Sequence, residues 1–321
     1  MRSKTVLIIA ILVAVCFCFP GVGTAQTKLV TLASGSPGGV YYPLGGGMAV
    51  IIQKTVKGLR CAAESTGASV ENVRLVDSHE SDMAMVMGSS AYSGREGREP
   101  FKKKHDILAM FQMYPAPTHI VTTKKTGIKK LEDLKGKKVS IDRPGSGGAL
   151  MARVILDVAG FDLEKDINLA GLSVSESVTA MKDGLVDALF LNFAYPASAI
   201  MDLISTREIE LIPLSEGLIK KIIEKHPYYV KSTIPKNAYQ GMTSDIMCLG
   251  DSNLMVVHRD MDADLVYKIV KAIFENINQG DYALINIHPI AAQFTPTNAV
   301  NSPIPLHPGA IKYFKEKGVI K

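Results

Sequence analysis

No apolar run in this chain is long enough for a comfortable membrane span. The longest leading run, Val6 to Phe19, is short and sits behind the basic residues Arg2 and Lys4. Followed by the small residues Gly23-Thr24-Ala25, it reads as a secretory signal peptide cut after Ala25, so a periplasmic or otherwise extracytoplasmic location is expected. Neither Cys16 nor Cys18 follows a small residue, which argues against a lipid-modified cysteine. Cysteine is scarce. Only Cys61 and Cys248 remain after cleavage, too few for a disulfide framework, and whether they pair is left open. An excess of one charge sign is missing too. Loss of Arg2 and Lys4 lowers the formal net charge from +5 to +3. No Lys/Arg stripe with interleaved aromatics occurs, so nucleic acid is not expected as a partner.

Catalytic signatures are equally sparse. There is no G-x-S-x-G elbow, and the seven histidines show neither H-E-x-x-H nor i, i+4 pairing. The glycine-rich turn Gly145 to Gly148 has Leu150 where a dinucleotide fingerprint needs glycine, and it lacks the Lys-Ser/Thr of a phosphate loop. These absences weigh against a hydrolase, a metalloenzyme and a nucleotide-binding protein. No catalytic residue, metal or cofactor is expected.

What is present is a globular composition, 47% hydrophobic and 21% charged, arranged as short apolar strands alternating with amphipathic helices. The organising stretch is Ser34 to Val56. The strand Leu29 to Ala33 runs into Gly35-Ser36-Pro37-Gly38-Gly39, and a helix opens near Tyr41–Tyr42 with Leu44, Met48, Ile51, Ile52 and Val56 on one face. A glycine-rich turn at a helix N-terminus exposes backbone N–H groups where the macrodipole favours an anion. The strand Leu59 to Ala63 leads to a second polar turn, Glu64 to Ser69, with Ser69 as N-cap of the next helix. The strand Met83 to Met87 ends in a third, Gly88-Ser89-Ser90. Ligands in open α/β sheets sit beyond the carboxyl ends of strands, so three such turns in succession point to a binding site. Arg95 to Asp106 is charged and reads as a solvated loop.

Tyr114-Pro115-Ala116-Pro117 interrupts the next apolar stretch and suggests a crossing between two lobes. The second lobe then repeats the opening device. The strand Lys137 to Ile141 runs into Asp142-Arg143-Pro144-Gly145-Ser146-Gly147-Gly148 and a helix with Leu150, Val154, Ile155 and Val158 on one face. Leu185 to Leu191 is a further buried strand, with Asn192 to Pro196 at its carboxyl end, and Ile246 to Val257 is extended and crosses back.

Taken together, Gly38-Gly39-Val40-Tyr41-Tyr42-Pro43, Glu64-Ser65-Thr66-Gly67, Leu134-Lys135-Gly136-Lys137, Pro144-Gly145-Ser146-Gly147, Val186-Asp187-Ala188, Thr233-Ile234-Pro235 and Leu306-His307-Pro308-Gly309-Ala310 make the chain resemble the TAXI family. These are the extracytoplasmic solute receptors of tripartite ATP-independent periplasmic (TRAP) transporters. The motifs lie in the family's order and span nearly the whole mature chain.

The resemblance implies a type II periplasmic-binding-protein fold: two α/β lobes joined by two crossing strands, with a ligand cleft between them and hinge closure around it. Its boundaries are a signal peptide at 1–25, lobe 1 at 26–115, lobe 2 at 116–248, and a return to lobe 1 with C-terminal helices at 249–321. It also implies TRAP permease membrane subunits as partners, and a small carboxylate or amino acid, glutamate-like or a dicarboxylate, as ligand; a monomer is expected. A sensory receptor domain of the same fold is the alternative.

Backbone and hydroxyl donors are expected from Ser36, Gly38, Gly39 and Val40 in lobe 1, and from Gly145, Ser146, Gly147 and Gly148 in lobe 2. Arg143 is placed to give a carboxylate contact. One of Tyr41 and Tyr42 should line the cleft, and Tyr41 is named as the site residue. Ser65, Thr66, Ser89, Tyr114, Asn192 and Tyr195 complete the candidates. The chain departs from the family's usual pattern at Gly88-Ser89-Ser90, at Tyr114 to Pro117 and at Arg143. A shared jaw for a carboxylate is therefore expected, with these variable residues choosing the rest of the molecule.

Overall fold

The structure, a computed structural model, describes residues 27–37 and 39–321; the expected signal peptide at 1–25 and Gly38 lie outside them. Alternation of apolar residues makes Lys28–Ala33 a strand (β1) with Val30 and Leu32 turned into the core. The helix Tyr41–Thr55 (α1) lays Leu44, Met48, Ile51 and Ile52 on that strand, all fully buried. It sits close because of Gly45, where an added Cβ would come within 2.9 Å of Ser34 Cβ. Leu59–Glu64 (β2) and Met83–Met87 (β3) flank β1 in parallel, and Ser69–Asp77 (α2) connects them. Gly88–Glu96 (α3) follows β3 without a turn, so Gly88-Ser89-Ser90 begins a helix. The charged segment after it is less solvated than its composition suggests, since Phe101 and His105 are buried.

Two long strands tie the lobes together, Ile107–Thr123 (β4) and Ile246–His258 (β10). They run antiparallel, His258 opposite Ile107 and Gly250 opposite Pro117. β4 passes through Tyr114-Pro115-Ala116-Pro117 without a break, contrary to the expected interruption. The physical reason is period two: Pro115 and Pro117 put both missing donors on one side of the strand, and the other side remains free to pair.

Beyond the crossing, Ala188–Asn192 (β7) pairs with Thr118–Thr122 of β4, and Ile209–Leu211 (β8) with its last residues. Lys138–Ser140 (β5) lies parallel to β7 on one side and to Asn168–Ala170 (β6) on the other. Val230–Ile234 (β9) pairs with the first residues of β10. The strand order is β2-β1-β3-β10-β4-β7-β5-β6, one mixed sheet shared by two lobes.

Lobe 1 is filled from α1, from Ala263–Glu275 (α8) and from Pro308–Glu316 (α9) around Phe111, Tyr313 and Phe314. In lobe 2 the helix Gly147–Val158 (α4) buries Met151, Ile155 and Leu156 against Val139 and Phe190. Val174–Lys182 (α5) and Ser198–Ile204 (α6) cover the other face of that sheet, and Glu216–Lys225 (α7) packs beside α4. Cys61 on β2 and Cys248 on the lobe 2 half of β10 are both free, so the open question of a bridge resolves to two thiols. Among the described residues no helix is long and apolar enough to cross a membrane.

Candidate functional site

Every parallel strand of both lobes ends at one cleft. Gly35 and Ser36 follow β1, Ala68 and Ser69 follow β2, and Met87 closes β3; from the other lobe come Asp142 after β5, Val174 after β6, and Asn192 with Phe193 at the end of β7. Tyr114 of β4 and Asn253 of β10 supply the floor. Gly39, Val40 and Tyr41 bring in the start of α1, and Ser146, Gly147 and Gly148 the start of α4. The cleft holds about 500 Å³ of open space, mouth included.

The two helix starts are built differently. Val40 precedes α1 with no side-chain cap, which leaves the positive end of the helix without a capping oxygen of its own. At α4 the Ser146 hydroxyl accepts from Ala149 N–H at 3.0 Å. Among the described residues nothing accepts from the N–H groups of Gly147 and Gly148. Two helix N-termini, one from each lobe, therefore offer donors to the same space.

Acceptors stand beside them. Asp142 has φ 72, a left-handed backbone that only a few side chains tolerate. Burial raises its carboxyl above the usual range, against the lowering effect of Arg143 N–H, which donates to it at 2.7 Å. Among the described residues no lysine or arginine lines the cleft with it. Asn192 donates its amide to Ala116 O at 3.1 Å, which leaves its buried Oδ1 without a partner. On the floor, Tyr41 donates its hydroxyl to Asn253 Oδ1 at 2.5 Å, and Asn253 donates to Tyr114 O at 3.2 Å. Tyr114 in turn stacks on Phe294, ring centres 6.1 Å apart.

Of the residues named from sequence, Ser36, Gly39, Val40, Tyr41, Tyr114, Ser146, Gly147, Gly148 and Asn192 line the cleft. Gly38 lies outside the described residues. Tyr42 faces away, 48% exposed, so the choice between the two tyrosines falls to Tyr41. Six candidates do not line it. Ser65 donates to Gly35 O and Thr66 to Asn72 Oδ1, so both brace the β2 turn from behind. Ser89 is fully buried beside Asp251, inside the protein. Arg143 and Gly145 touch the opposite lobe, and Tyr195 is exposed beyond the end of β7.

Ser69, expected to cap α2, instead accepts from Met87 N–H at 3.0 Å and joins the helix start to β3. Asp142, Met87, Phe193 and Asn253 were not expected at the site. Asp251-Ser252-Asn253, three polar residues within an apolar strand, was the available signal for the last of these.

The lobes touch around the cleft. Arg143 Nη2 donates to Thr66 O at 2.7 Å, Val70 N–H donates to Gly145 O at 3.0 Å, and Met87 packs on Gly147. Arg143 is thus an interlobe latch. A hydrogen bond from a charged group contributes about 1.5–3 kcal/mol, less at this partly exposed position. Replacing Arg143 by Met should weaken solute binding about fivefold to tenfold and raise the radius of gyration seen by solution scattering. An affinity within twofold of wild type would show that the latch does not hold the closed form.

The fold has well-separated counterparts. MatC from Rhodopseudomonas palustris with bound malate superposes at a TM-score of 0.57 and 12% identity, covering 94% of this chain and 97% of that one. PhnD1 from Prochlorococcus marinus in complex with methylphosphonate gives 0.54 at 13%, with 91% and 97% covered. An ancestral arginine-binding protein bound to arginine gives 0.50 at 19%, with 82% and 98% covered. At these identities the likeness establishes the fold, that of the periplasmic binding proteins. The sequence itself carries the closer relation: the model of the NMT1-like family matches residues 32–318, nearly the whole described chain, and the protein belongs to that family.

Proposed function

We propose that the protein is the extracytoplasmic solute receptor of a TAXI-type TRAP transporter, and that its solute is a small amino acid. The observation that carries this reading is the pair of helix N-termini, α1 and α4, that meet from opposite lobes in one cleft. Such a pair suits a carboxylate, because backbone donors and helix dipoles neutralise it without a side-chain cation. Asp142 and the unpartnered Asn192 Oδ1 add acceptors in the same cleft. A dicarboxylate would place its second negative group against Asp142; an α-ammonium would place a donor there instead. Delivery to TRAP permease subunits, and secretion through the leading segment, belong to the same reading and rest on the resemblance.

A thermal-shift panel of small neutral amino acids, glutamate, malate and simple monocarboxylates tests it. Small amino acids are expected to raise the melting temperature, and Asp142→Asn to weaken them about tenfold or more while affecting monocarboxylates less. Preferential stabilisation by malate, strengthened in Asp142→Asn, would reverse the assignment of the acceptor side.

A further inference from the structure

At the end of lobe 1 opposite the cleft, three side chains far apart in sequence converge. His79 stands in the turn after α2, shortly before β3; His258 is the last residue of β10; and Asp260 lies in the turn beyond it. The imidazole rings of His79 and His258 are 4.2 Å apart, centre to centre, tilted by 52°. Asp260 Oδ1 is 2.6 Å from His258 Nδ1, and Asp260 Oδ2 is 3.9 Å from His79 Nε2. One ligand atom from each residue falls within 4.8 Å of the others. Bonds of about 2.1 Å to one ion allow two ligand atoms to lie up to about 4.2 Å apart. At the tetrahedral angle that separation is about 3.4 Å, so small side-chain rotations that shorten the 3.9 Å gap and open the 2.6 Å contact close the set on one ion.

We propose that His79, His258 and Asp260 form a surface site for a late first-row divalent cation, with Zn²⁺ as the reference ion. Two imidazoles and one carboxylate match the borderline donor preference of Zn²⁺, Ni²⁺ and Cu²⁺, whereas Ca²⁺ and Mg²⁺ require an oxygen cage. The neighbouring cation does not compete: Arg259 pairs with Asp106 at 3.0 Å. Three protein ligands leave coordination positions open to water, since His79 and Asp260 are exposed, 60% and 64% at the side chain. The backbone of His79, at φ 59, holds its ring over His258, so the site joins the α2–β3 turn to the β10–α8 turn. The ion would brace the base of lobe 1 without entering the solute cleft.

Calorimetric titration of the tag-free mature chain with Zn²⁺ in a non-chelating buffer at pH 7.5 tests the site. One ion per chain at micromolar affinity is expected, with no saturable heat from Mg²⁺ or Ca²⁺. His79→Asn, which keeps a residue that accepts the left-handed backbone, and His258→Gln should each weaken Zn²⁺ at least tenfold. Two of the seven histidine ring signals should shift on Zn²⁺ addition in the NMR spectrum. Absence of saturable Zn²⁺ binding to the wild type overturns the proposal, as does wild-type affinity in a folded His79→Asn variant. Neither readout involves the solute, so the result is independent of the transport reading.

Discussion

Gly147→Val is expected to reduce solute affinity at least about a hundredfold, roughly 2.7 kcal/mol, while both lobes stay folded. Gly147 opens α4 on lobe 2 and meets Met87, the last residue of β3 on lobe 1. A Cβ added there would sit 2.5 Å from Met87 Sδ and 3.0 Å from Met87 Cβ. The sulfur can swing aside, but the Met87 Cβ is fixed by a strand inside the sheet. Valine adds two further methyl groups at the same place. The strain is relieved by parting the lobes, which withdraws the Gly147 and Gly148 N–H groups from anything held by α1. A receptor that binds by closing then loses its closed state, and apparent affinity falls with the population of that state.

The apolar cores of the two lobes do not include Gly147, so circular dichroism and the ligand-free melting temperature should change little. The double variant Met87→Ala, Gly147→Val provides the control. Removing the obstructing side chain should restore part of the lost affinity, a coupling that independent sites would not show. Isothermal titration with whichever solute the thermal-shift panel identifies measures both. Undiminished affinity in Gly147→Val would mean that this interlobe contact is not part of the bound form.

The strand and helix order of the fold was readable because it rests on local patterns: β1 alternates, α1 carries a buried stripe, and glycine turns follow strands in both lobes. The turns that open α1 and α4 were readable for the same reason, since a glycine-rich turn before a helix is a local feature. Long-range partners were not. Arg143 beside a glycine turn looks like a ligand group until Thr66 O appears 2.7 Å away on the other lobe. Gly88-Ser89-Ser90 contains poor helix formers, yet it starts a helix because Asp251, far along the chain, accepts from Ser89 N–H. Asp142 was passed over as one residue of a turn, although its position among cleft-lining donors gives it a chemical role. Two prolines in four residues suggested a break, but their shared side of β4 decided otherwise. Cys61 and Cys248 counted as a possible pair only because nothing in their sequence placed them on different lobes.

Asp251→Asn should make the protein more stable at pH 8 and leave it nearly unchanged near pH 3. Asp251 lies on β10 where the crossing strands run between the lobes, and it is fully buried. Its two carboxylate oxygens each accept from Ser89 N–H at 3.2 Å, at the positive end of α3. The Ser89 and Ser252 hydroxyls nearby make no aligned hydrogen bond. Tyr229 and Tyr41, the titratable neighbours, are buried and held neutral. No cation faces the carboxylate, so desolvation outweighs these bonds and raises its pKa from 3.8 to about 7.

A raised folded-state value fixes the sign. Near pH 3 and below, both folded and unfolded chains hold the proton, and Asp251 costs almost nothing. Between about pH 4 and pH 7 the unfolded chain has released the proton while the native chain keeps it, so stability falls as pH rises. Above pH 7 both are ionised and the loss is complete, on the order of 4 kcal/mol for a shift of this size. Asp77 runs the other way. Burial raises it, but Asp106 N–H, Lys103 and His105 together hold it at about 2, so its contribution is lost on acidification. The wild-type profile therefore mixes opposed trends, and the difference between wild type and Asp251→Asn isolates this one group.

Asparagine keeps an oxygen for Ser89 N–H and offers its amide to the unpartnered hydroxyls. The expected melting-temperature gain is about 5–10 °C at pH 8, shrinking steadily below pH 7 and toward zero near pH 3. A difference that stays constant across this range would show that Asp251 does not change ionisation between the folded and unfolded states. A difference of the expected form would place a pH-dependent destabilising charge on a strand that joins the two lobes.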